Sequence, residues 1–254
     1  MIRVVFNQKG GVGKSTICSN LAAIAGAQGK RTLIIDLDSQ CNTSAYLLGN
    51  DYDAKATAAE FFEQTLNLIL KGRPVNDFIC KTDFANLSIM PASELLGELI
   101  IKLEQRHKIY KLRDAVAKLK QDFDEIYIDT PPAFNFYSLS ALIAADTCLI
   151  PFDCDDFSRR GLYSLLANIE ETRQDHNDNL KVEGIVVNQF QGQASLPKKL
   201  VEELRSEDLP ILDTLIHSSV KVKESHNISQ PLISCAPKHK VTQQFCALYD
   251  EISA

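Results

Sequence analysis

The sequence predicts an α/β fold with a doubly wound, mostly parallel sheet and helices on both faces. Short apolar runs alternate along the chain with longer segments whose apolar residues recur at helical spacing. Several short runs are apolar on both faces, as in Leu33-Ile34-Ile35, which is typical of strands buried in a parallel sheet. A glycine-rich turn joins the first strand to the first helix. Ligands of such folds bind beyond the carboxyl ends of the strands.

The elements follow from the apolar pattern. Strands are expected at residues 2–6, 32–36, 87–90, 125–129, 147–152 and 182–188, with a weaker one at 211–214. A first helix begins near Ser15, because Ile17, Leu21 and Ile24 lie at positions i, i+4 and i+7, and Gly29 offers a stop. Further helices are expected at residues 58–70, 94–122, 138–145, 160–175, 197–206 and 240–252. We see no repeat and no composition break, so we expect one domain over residues 1–254.

The composition is that of an ordinary soluble globular protein. The chain has 254 residues, of which 45% are hydrophobic and 24% are charged. No apolar stretch approaches the roughly 20 residues that cross a bilayer, and no basic-then-apolar signal segment opens the chain, so we expect a cytoplasmic protein. The seven cysteines form no C-x-x-C pair, which favours buried reduced thiols over disulfides or zinc. A net charge of −6 argues against uniform coating of nucleic acid but allows a local basic face.

The turn after the first strand reads Lys-Gly-Gly-Val-Gly-Lys-Ser-Thr over residues 9–16. Its glycines let consecutive backbone N–H groups approach phosphate oxygens without a Cβ clash, and the following helix adds its positive dipole end. Lys14 can reach the outer phosphates, and the Ser15 hydroxyl can ligate magnesium. The usual pattern, G-x-x-x-x-G-K-S/T, needs glycine at the position of Gln8 and does not require a lysine at residue 9. Lys9 is therefore either a solvated loop lysine or a second phosphate-directed cation, and we favour the second because the rest of the chain fits it.

Aspartates stand at the ends of two apolar strands. Asp129 precedes Thr-Pro-Pro, and an aspartate there beside a phosphate loop usually supports magnesium; the alternative is a polar residue that leads into a proline turn. Asp36 and Asp38 are two residues apart, and the chain is expected to turn between them. One could support the magnesium shell while the other orients water, or the pair could be ion-paired structure, and the residues alone favour neither.

These motifs resemble the ParA/Soj group of deviant Walker ATPases, within the class of P-loop NTPases that includes MinD and the nitrogenase iron protein. The resemblance runs nearly end to end, and its first motif is highly specific. The matching pieces are residues 9–16, 34–40, 90–93, 126–132, 149–151, 185–188, 230–233 and 249–252.

The resemblance implies a homodimer that sandwiches two ATP molecules with magnesium, and it assigns roles to residues. Lys9 would reach across to the phosphates bound by the partner, a cation that offsets charge on the transferring phosphoryl group. Asp38 would align the attacking water. The other expected roles are phosphate binding by Gly10, Gly11, Val12, Gly13 and Lys14, magnesium binding by Ser15 with Asp36 and Asp129, inner-phosphate binding by Thr16, and adenine binding by Asn188. For Asn188 the alternative is a turn-forming asparagine.

The implied function is a partition switch, in which ATP closes the dimer and hydrolysis, slow until a partner stimulates it, opens the dimer. Such proteins bind non-specific DNA through lysines and arginines, so we expect nucleoid association of the ATP form and an adaptor of ParB type or an equivalent. The cargo would be a plasmid, a chromosome origin or a cytoplasmic assembly. Candidate DNA contacts are Lys198, Lys199 and Arg205 on one predicted helix, and Lys221 and Lys223 in a late loop, with Arg159, Arg160, Lys238 and Lys240 as weaker candidates. Each group could equally be a solvated face.

The segment after Asp38 departs from the family pattern at two positions. Ser39 and Cys41 stand where members commonly have proline and glycine, which puts the hydrolysis rate in doubt. No helix-turn-helix region is seen, so operator binding is not expected, and the C-terminal segment lacks the basic face of membrane-bound relatives.

Three alternative functions remain. They are a metal-cluster carrier, for which Cys154 lies in an unsuitably acidic stretch, a MinD-like positioning ATPase, and a regulatory module that binds ATP without turnover.

Overall fold

The computed structural model describes residues 1–53, 56–67, 72–154 and 158–253, without the side chains of residues 158–160. Its strands are β1 Ile2–Val5, β2 Thr32–Asp36, β3 Cys80–Lys81, β4 Leu87–Met90, β5 Glu125–Asp129, β6 Thr147–Asp153 and β7 Lys181–Asn188. They form one sheet in the order β3-β4-β2-β5-β1-β6-β7. Every pairing is parallel except that of β3 with β4. The expected mostly parallel α/β fold is confirmed.

The helices of the described residues connect these strands. They are α1 Lys14–Ala27, α2 Asn42–Leu48, α3 Ala58–Leu66, α4 Leu95–Gln105, α5 Lys111–Leu119, α6 Phe136–Ala144, α7 Ser158–His176, α8 Ser195–Ser206, α9 Val220–Asn227, α10 Leu232–Cys235 and α11 Lys240–Ser253, with a 3-10 helix at Val75–Phe78. In the described part of the chain, no helix has the length and apolarity that a membrane crossing requires.

The sheet buries a separate apolar core on each face. Consecutive strand residues point to opposite faces, so Val4 and Ile35 belong to one core and Val5 and Ile34 to the other. Helices α3 to α8 contribute to the first core, and α1, α2, α10 and α11 contribute to the second. Both faces of the central strands are therefore covered, which explains their continuous apolar sequence.

Two predicted elements are wrong for identifiable reasons. The helix expected at residues 94–122 is broken into α4 and α5, because His107 takes a left-handed conformation with φ of 52°. The Lys108 amide then donates to the Leu103 carbonyl, which closes α4 without the usual glycine. The strand expected at 211–214 is reduced to one bridge between Ile185 and Ile211, because the amides of residues 213 and 214 donate to the carboxylate of Glu251 instead of a strand.

Other differences concern short elements. Lys221 and Lys223 lie on helix α9, not in the expected loop. The two-residue strand β3 and the short helices α2 and α10 give too little periodicity for recognition, and the sequence prediction omitted them. Helix α3 ends at Leu66, and residues 68–70 of its expected span lie outside the described residues. All seven cysteines are free, but only Cys18 and Cys148 are buried.

The strand order directs the candidate residues to one edge of the sheet. The chain moves from β1 to β2 on one side and later to β6 on the other, so β1 lies at the point where the winding reverses. Asp36 and Asp129 are register partners at the ends of β2 and β5, and Val5 pairs with Asp129. The glycine-rich turn and both aspartates therefore meet at the carboxyl end of the sheet.

Candidate functional site

The turn after β1 forms the floor of a cleft with a volume of about 410 Å³. Gly11 and Gly13 have φ of 78° and 90°, a left-handed conformation that favours glycine. The Lys14 side chain, only 7% exposed, folds back so that its ammonium donates to the Lys9 carbonyl at 3.0 Å. Burial lowers the pKa of Lys14, and the nearby carboxylates of Asp129 and Asp38 oppose that shift. The floor of the cleft is therefore a glycine-rich turn that holds one nearly buried cation.

The end of β7 holds this turn in place. The Asn188 side-chain amide donates to the Val12 carbonyl at 2.8 Å, and the Gln189 side-chain amide donates to the Gly11 carbonyl at 2.7 Å. Asn188 is 6% exposed, and a Cβ on Gly13 would lie 2.2 Å from its amide nitrogen. Asn188 therefore braces the turn through its side-chain nitrogen. Gln189 was not expected from the sequence.

Beneath the cleft lie two carboxylates with no exposure, Asp36 and Asp129. Burial raises the pKa of both side chains, and in Asp36 the charge of Asp129 adds to the effect. The Thr43 hydrogen bond and the nearby Ser15 hydroxyl oppose the shift in Asp129. The site thus holds two adjacent carboxyl groups, whose charged forms burial disfavours, in a position that water does not reach.

Helix α2 and the segment before it are attached to these carboxylates. Thr43 donates its hydroxyl to Asp129 Oδ2 at 2.7 Å. Ser44 donates both its amide and its hydroxyl to Asp36 Oδ2, at 2.9 and 2.6 Å. The Asp38 amide donates to Asp36 Oδ1 at 3.1 Å, which is the turn that the sequence suggested between the two aspartates. Asp36 therefore fixes the chain around Asp38, and Asp38 itself faces the cleft.

The carboxylate pair fits a divalent cation. Asp129 Oδ1 is buried and has no hydrogen-bond partner among the described residues, and a buried carboxylate oxygen without a donor is costly. Hard cations such as Mg²⁺ take oxygen ligands, so Asp129 and the Ser15 hydroxyl would hold one. Both oxygens of Asp36 accept hydrogen bonds from Ser44 and Asp38. Asp36 would therefore support the cation site indirectly, by fixing the segment around Asp38.

Lys9 lies at the rim of the cleft. Its side chain is 39% exposed, and its ammonium is 3.8 Å from the Asp153 carboxylate at the end of β6. The Lys9 amide donates to Asn7 Oδ1 at 2.9 Å, which fixes the backbone of the turn. Lys9 is thus separate from Lys14, which points into the turn.

The opposite wall of the cleft comes from the segment that precedes α9 and from α9 itself. Its lining residues include His217, Val222, Lys223 and His226. His217 is held by Gln244 of α11, with 2.6 Å between Gln244 Nε2 and His217 Nδ1. Sequence reasoning assigned no role to His217 or His226, because isolated histidines outside a recognised motif carry no signal. Thr43 and Ser44 could have been suspected, since a polar pair follows the acidic strand end.

The five main candidate DNA-contact residues are divided between two helices. Of the weaker candidates, Lys240 begins α11, and the side chains of Arg159 and Arg160 lie outside the described residues. On α8, Lys198 and Lys199 are exposed, Lys199 pairs with Glu203 at 3.7 Å, and Arg205 pairs with Asp213 at 3.2 Å. On α9, Lys221 forms an ion pair with Glu224, and the exposed Lys223 lines the cleft. Among the described residues, Lys198 and Lys223 have no ion-pair partner. The structure places the predicted nucleotide-site residues within the turn, along the cleft or directly beneath it.

A glycine-rich phosphate cradle at the switch point of a doubly wound sheet, above two buried aspartates, defines a P-loop nucleotide-binding protein. The sequence model of a family described as "AAA domain" matches residues 1–182. The chromosome partitioning protein ParA of Myxococcus xanthus is 32% identical over 98% of this chain and 86% of its own length. The chain belongs to the ParA/Soj family of partition ATPases, within the ParA/MinD superfamily.

One further relative agrees with this assignment, and one solved structure has a similar fold. The sporulation initiation inhibitor protein Soj of Bacillus subtilis is 28% identical over 100% of this chain and 98% of its own length. Among solved structures, cobyrinic acid a,c-diamide synthase of Mycobacterium smegmatis with bound ATP analog and magnesium has a TM-score of 0.84 and 25% identity. That likeness covers 98% of this chain and 92% of the synthase. The strand and helix arrangement is thus one that also occurs in a nucleotide-bound protein.

Proposed function

We propose that this protein is a magnesium-dependent ATPase whose ATP-bound form pairs with a second copy and positions or segregates cargo on non-specific DNA. The observation that carries the proposal is the cleft itself, in which the glycine-rich turn, Lys14 and Asp38 face one space above the buried Asp129. Partition proteins similar over nearly the whole chain and the ATP analog with magnesium in a similar structure support it.

The residues of the cleft suit the parts of ATP in order. The turn amides and Lys14 bind the β- and γ-phosphates, and the Thr16 hydroxyl binds an inner phosphate. Asn188, whose nitrogen is committed to Val12, offers its carbonyl oxygen to the adenine amino group. Asp38 accepts a hydrogen bond from the attacking water and so directs it at the γ-phosphate. When bound at Ser15 and Asp129, with Asp36 in support, Mg²⁺ supplies charge neutralisation for the phosphates.

Lys9 is proposed to contact the phosphates of the nucleotide that is bound by the second copy. The Lys9 side chain is 39% exposed at the rim, and its ion pair with Asp153 at 3.8 Å is of the exposed kind that contributes little to stability. An ammonium supplied by the second copy would neutralise charge on the transferring phosphoryl group and make hydrolysis depend on pairing.

The first experiment tests nucleotide binding. Lys14→Ala removes the cation that lies in the turn, and ATP affinity should fall by at least about 100-fold, since a charge-assisted phosphate contact is lost. Calorimetric titration with Mg-ATP measures it, and Lys120→Ala, which removes an exposed lysine paired with Asp146, is the matched control. Equal ATP affinity of Lys14→Ala and wild type would refute the site.

The second experiment tests pairing. Lys9→Ala should bind ATP with nearly unchanged affinity but remain monomeric, and its turnover should stay at a basal level. Analytical ultracentrifugation with a non-hydrolysable ATP analogue measures the oligomer. Asp38→Ala is the complementary variant, which should form dimers but not hydrolyse ATP. ATP-dependent dimers of Lys9→Ala in wild-type amounts would remove the role assigned to Lys9.

DNA contact is assigned to the exposed lysines of α8 and α9, with an adaptor protein of ParB type as the stimulating partner. Affinity of the ATP form for random-sequence DNA should fall steeply with salt, because each phosphate contact releases counterions. Lys198→Glu, Lys221→Glu and Lys223→Glu should each lower both the affinity and the salt slope. Binding that does not change between low and high salt would contradict phosphate contacts.

A further inference from the structure

Helix α9 makes a direct hydrogen-bonding contact with the phosphate-binding turn. Thr16 Oγ1 and His226 Nε2 are 3.0 Å apart, although the two residues are 210 positions apart in the sequence. Both side chains line the cleft. Thr16 is also fixed from behind, because its backbone carbonyl accepts a hydrogen bond from the Asn20 amide at 2.9 Å. The contact therefore joins α9 to the first turn of α1.

The imidazole of His226 is held in one orientation. It stacks on the Tyr46 ring with 4.0 Å between ring centroids and 16° between planes. The Tyr46 hydroxyl in turn lies 3.0 Å from Ser225 Oγ, on the residue next to His226. Tyr46 belongs to α2, the helix attached to the buried aspartates through Thr43 and Ser44. His226 is therefore a built contact among α1, α2 and α9 and not a freely rotating surface side chain.

The chemistry of the contact depends on which group donates. Burial lowers the pKa of His226, so the ring is neutral near pH 7 and carries a single N–H. The Thr16 hydroxyl also has a single proton. If His226 Nε2–H donates to Thr16 Oγ1, the hydroxyl proton remains available for a phosphate oxygen. If Thr16 donates to the ring instead, no proton is left for the ligand.

We propose that His226 is a positioning residue that directs the Thr16 hydroxyl proton to the inner phosphate of the nucleotide and thereby couples α9 to nucleotide occupancy. The inference rests on the proposed ATP-binding function and concerns its regulation. Because α9 also carries Lys221 and Lys223, nucleotide binding would order the helix that presents these lysines. Binding of ATP would in this way affect the proposed DNA-contact surface through one hydrogen bond.

The test separates the hydrogen bond from the stacking. His226→Phe keeps a ring against Tyr46 but cannot bond Thr16, whereas His226→Gln keeps a donor and loses the ring. We expect His226→Phe to weaken Mg-ATP affinity about three- to tenfold, the effect of one hydrogen bond, and His226→Gln to stay within about twofold of wild type. In a Thr16→Val background, His226→Phe should cause no further loss, because the two residues act as one unit.

Hydrogen exchange provides the second readout. Addition of Mg-ATP should slow amide exchange in residues 222–227 of the wild type and of His226→Gln, but not of His226→Phe. Thermal unfolding without nucleotide confirms that each variant is folded.

Three results would overturn the inference while the ATP site stands: wild-type affinity in His226→Phe, an equal loss in His226→Gln, or multiplicative losses in the double variant. If the wild type itself fails to bind ATP, and Lys14→Ala therefore shows no loss, the proposed function fails and this inference fails with it.

Discussion

The two ends of the sheet hold buried charge in different ways. At the amino ends of the strands, Arg3 is 2% exposed and its guanidinium donates to Glu183 at 2.7 Å and to the Tyr127 hydroxyl at 2.9 Å. Glu125 accepts hydrogen bonds from Tyr127 and Tyr249 at 2.8 and 2.7 Å. Burial alone would lower the pKa of Arg3, but the hydrogen bond and the nearby negative charges raise it. Each charge there has a partner within the chain.

At the carboxyl ends of the strands, the buried polar groups are not all paired within the chain. Asp36 and Asp129 adjoin each other without exposure, and Asp129 Oδ1 has no donor among the described residues. Lys14 is the nearby cation, but its ammonium is directed at the Lys9 carbonyl. Cys41, a non-glycine residue with φ of 56°, also lies at this end.

The comparison separates polar groups that stabilise the fold from polar groups that await a ligand. A buried ion network that is complete resists the loss of any member, because the remaining charge is left unpaired. A buried cluster that lacks partners lowers stability until a ligand supplies them, and such clusters mark functional sites. The same sheet therefore predicts opposite responses to substitution at its two ends.

The largest effect on stability is expected at the amino end. Arg3→Met leaves Glu183 and Glu125 without their cation, and the free energy of unfolding should fall by about 3–5 kcal/mol. Urea unfolding measures it. Arg31→Met is the control, because the Arg31–Asp124 pair is 56% and 39% exposed, and its removal should have a much smaller effect. Equal losses in the two variants would show that the Arg3 network contributes no more than a surface pair.

The next effect compares two glycines with the same φ of 90°, one at each end of α1. Gly13→Ala introduces a Cβ 2.2 Å from the Asn188 amide, whereas a Cβ on Gly29 would have nothing within 4 Å. Gly29→Ala should cost about 1–2 kcal/mol of backbone strain. Gly13→Ala should cost about 2–4 kcal/mol, because crowding adds to the strain.

Unfolding and ATP titration of both glycine variants measure the difference. Gly13→Ala should also lose ATP binding, since it displaces the side chain that braces the turn, while Gly29→Ala should keep it. A Gly13→Ala protein with normal ATP affinity would show that Asn188 does not hold the turn in its binding conformation.

A smaller effect, of opposite sign, is expected at Cys41. This residue has φ of 56° and precedes α2, a conformation that costs a non-glycine residue about 1–2 kcal/mol. Cys41→Gly should raise the free energy of unfolding by about 0.5–1 kcal/mol, because part of the relief is offset by the more flexible unfolded chain. Cys41→Ala removes the thiol but keeps the strain, so it should bring no gain. Matching stabilities of the two variants in urea would exclude strain at this residue.

The sequence predicted the parts of the site that are local in the chain. The turn at residues 9–16 and the aspartates at the ends of β2 and β5 could be read directly, because a strand end and the residues after it determine their position. The departure at Cys41 was visible as a replaced glycine, but only the structure shows the left-handed backbone that explains why the family commonly has glycine there.

The remaining contacts join segments that are distant in sequence. The Asn188 and Gln189 side chains meet carbonyls of the turn, and His226 meets Thr16, through folding that no local pattern encodes. His107 ends α4 without glycine or proline. The sequence therefore carries no signal of the break, and the helical apolar pattern predicted one helix across it. Physical prediction from the sequence therefore located the carboxyl-end chemistry and missed the contacts that hold it rigid.

The smallest effect on unfolding, and the sharpest contrast with Arg3, is expected at Asp129. Asp129→Asn removes one of two adjacent buried charges and keeps an oxygen for the Thr43 hydroxyl. The free energy of unfolding without nucleotide should therefore change by less than about 1 kcal/mol or should rise. The thermal stabilisation that Mg-ATP gives to the wild type should disappear, because the free carboxylate oxygen is the group that a cation would use. Asp146→Asn, at an exposed ion pair with Lys120, should keep that stabilisation. If Asp129→Asn instead unfolds as easily as Arg3→Met, the buried carboxylates stabilise the fold, and the two ends of the sheet do not differ in kind.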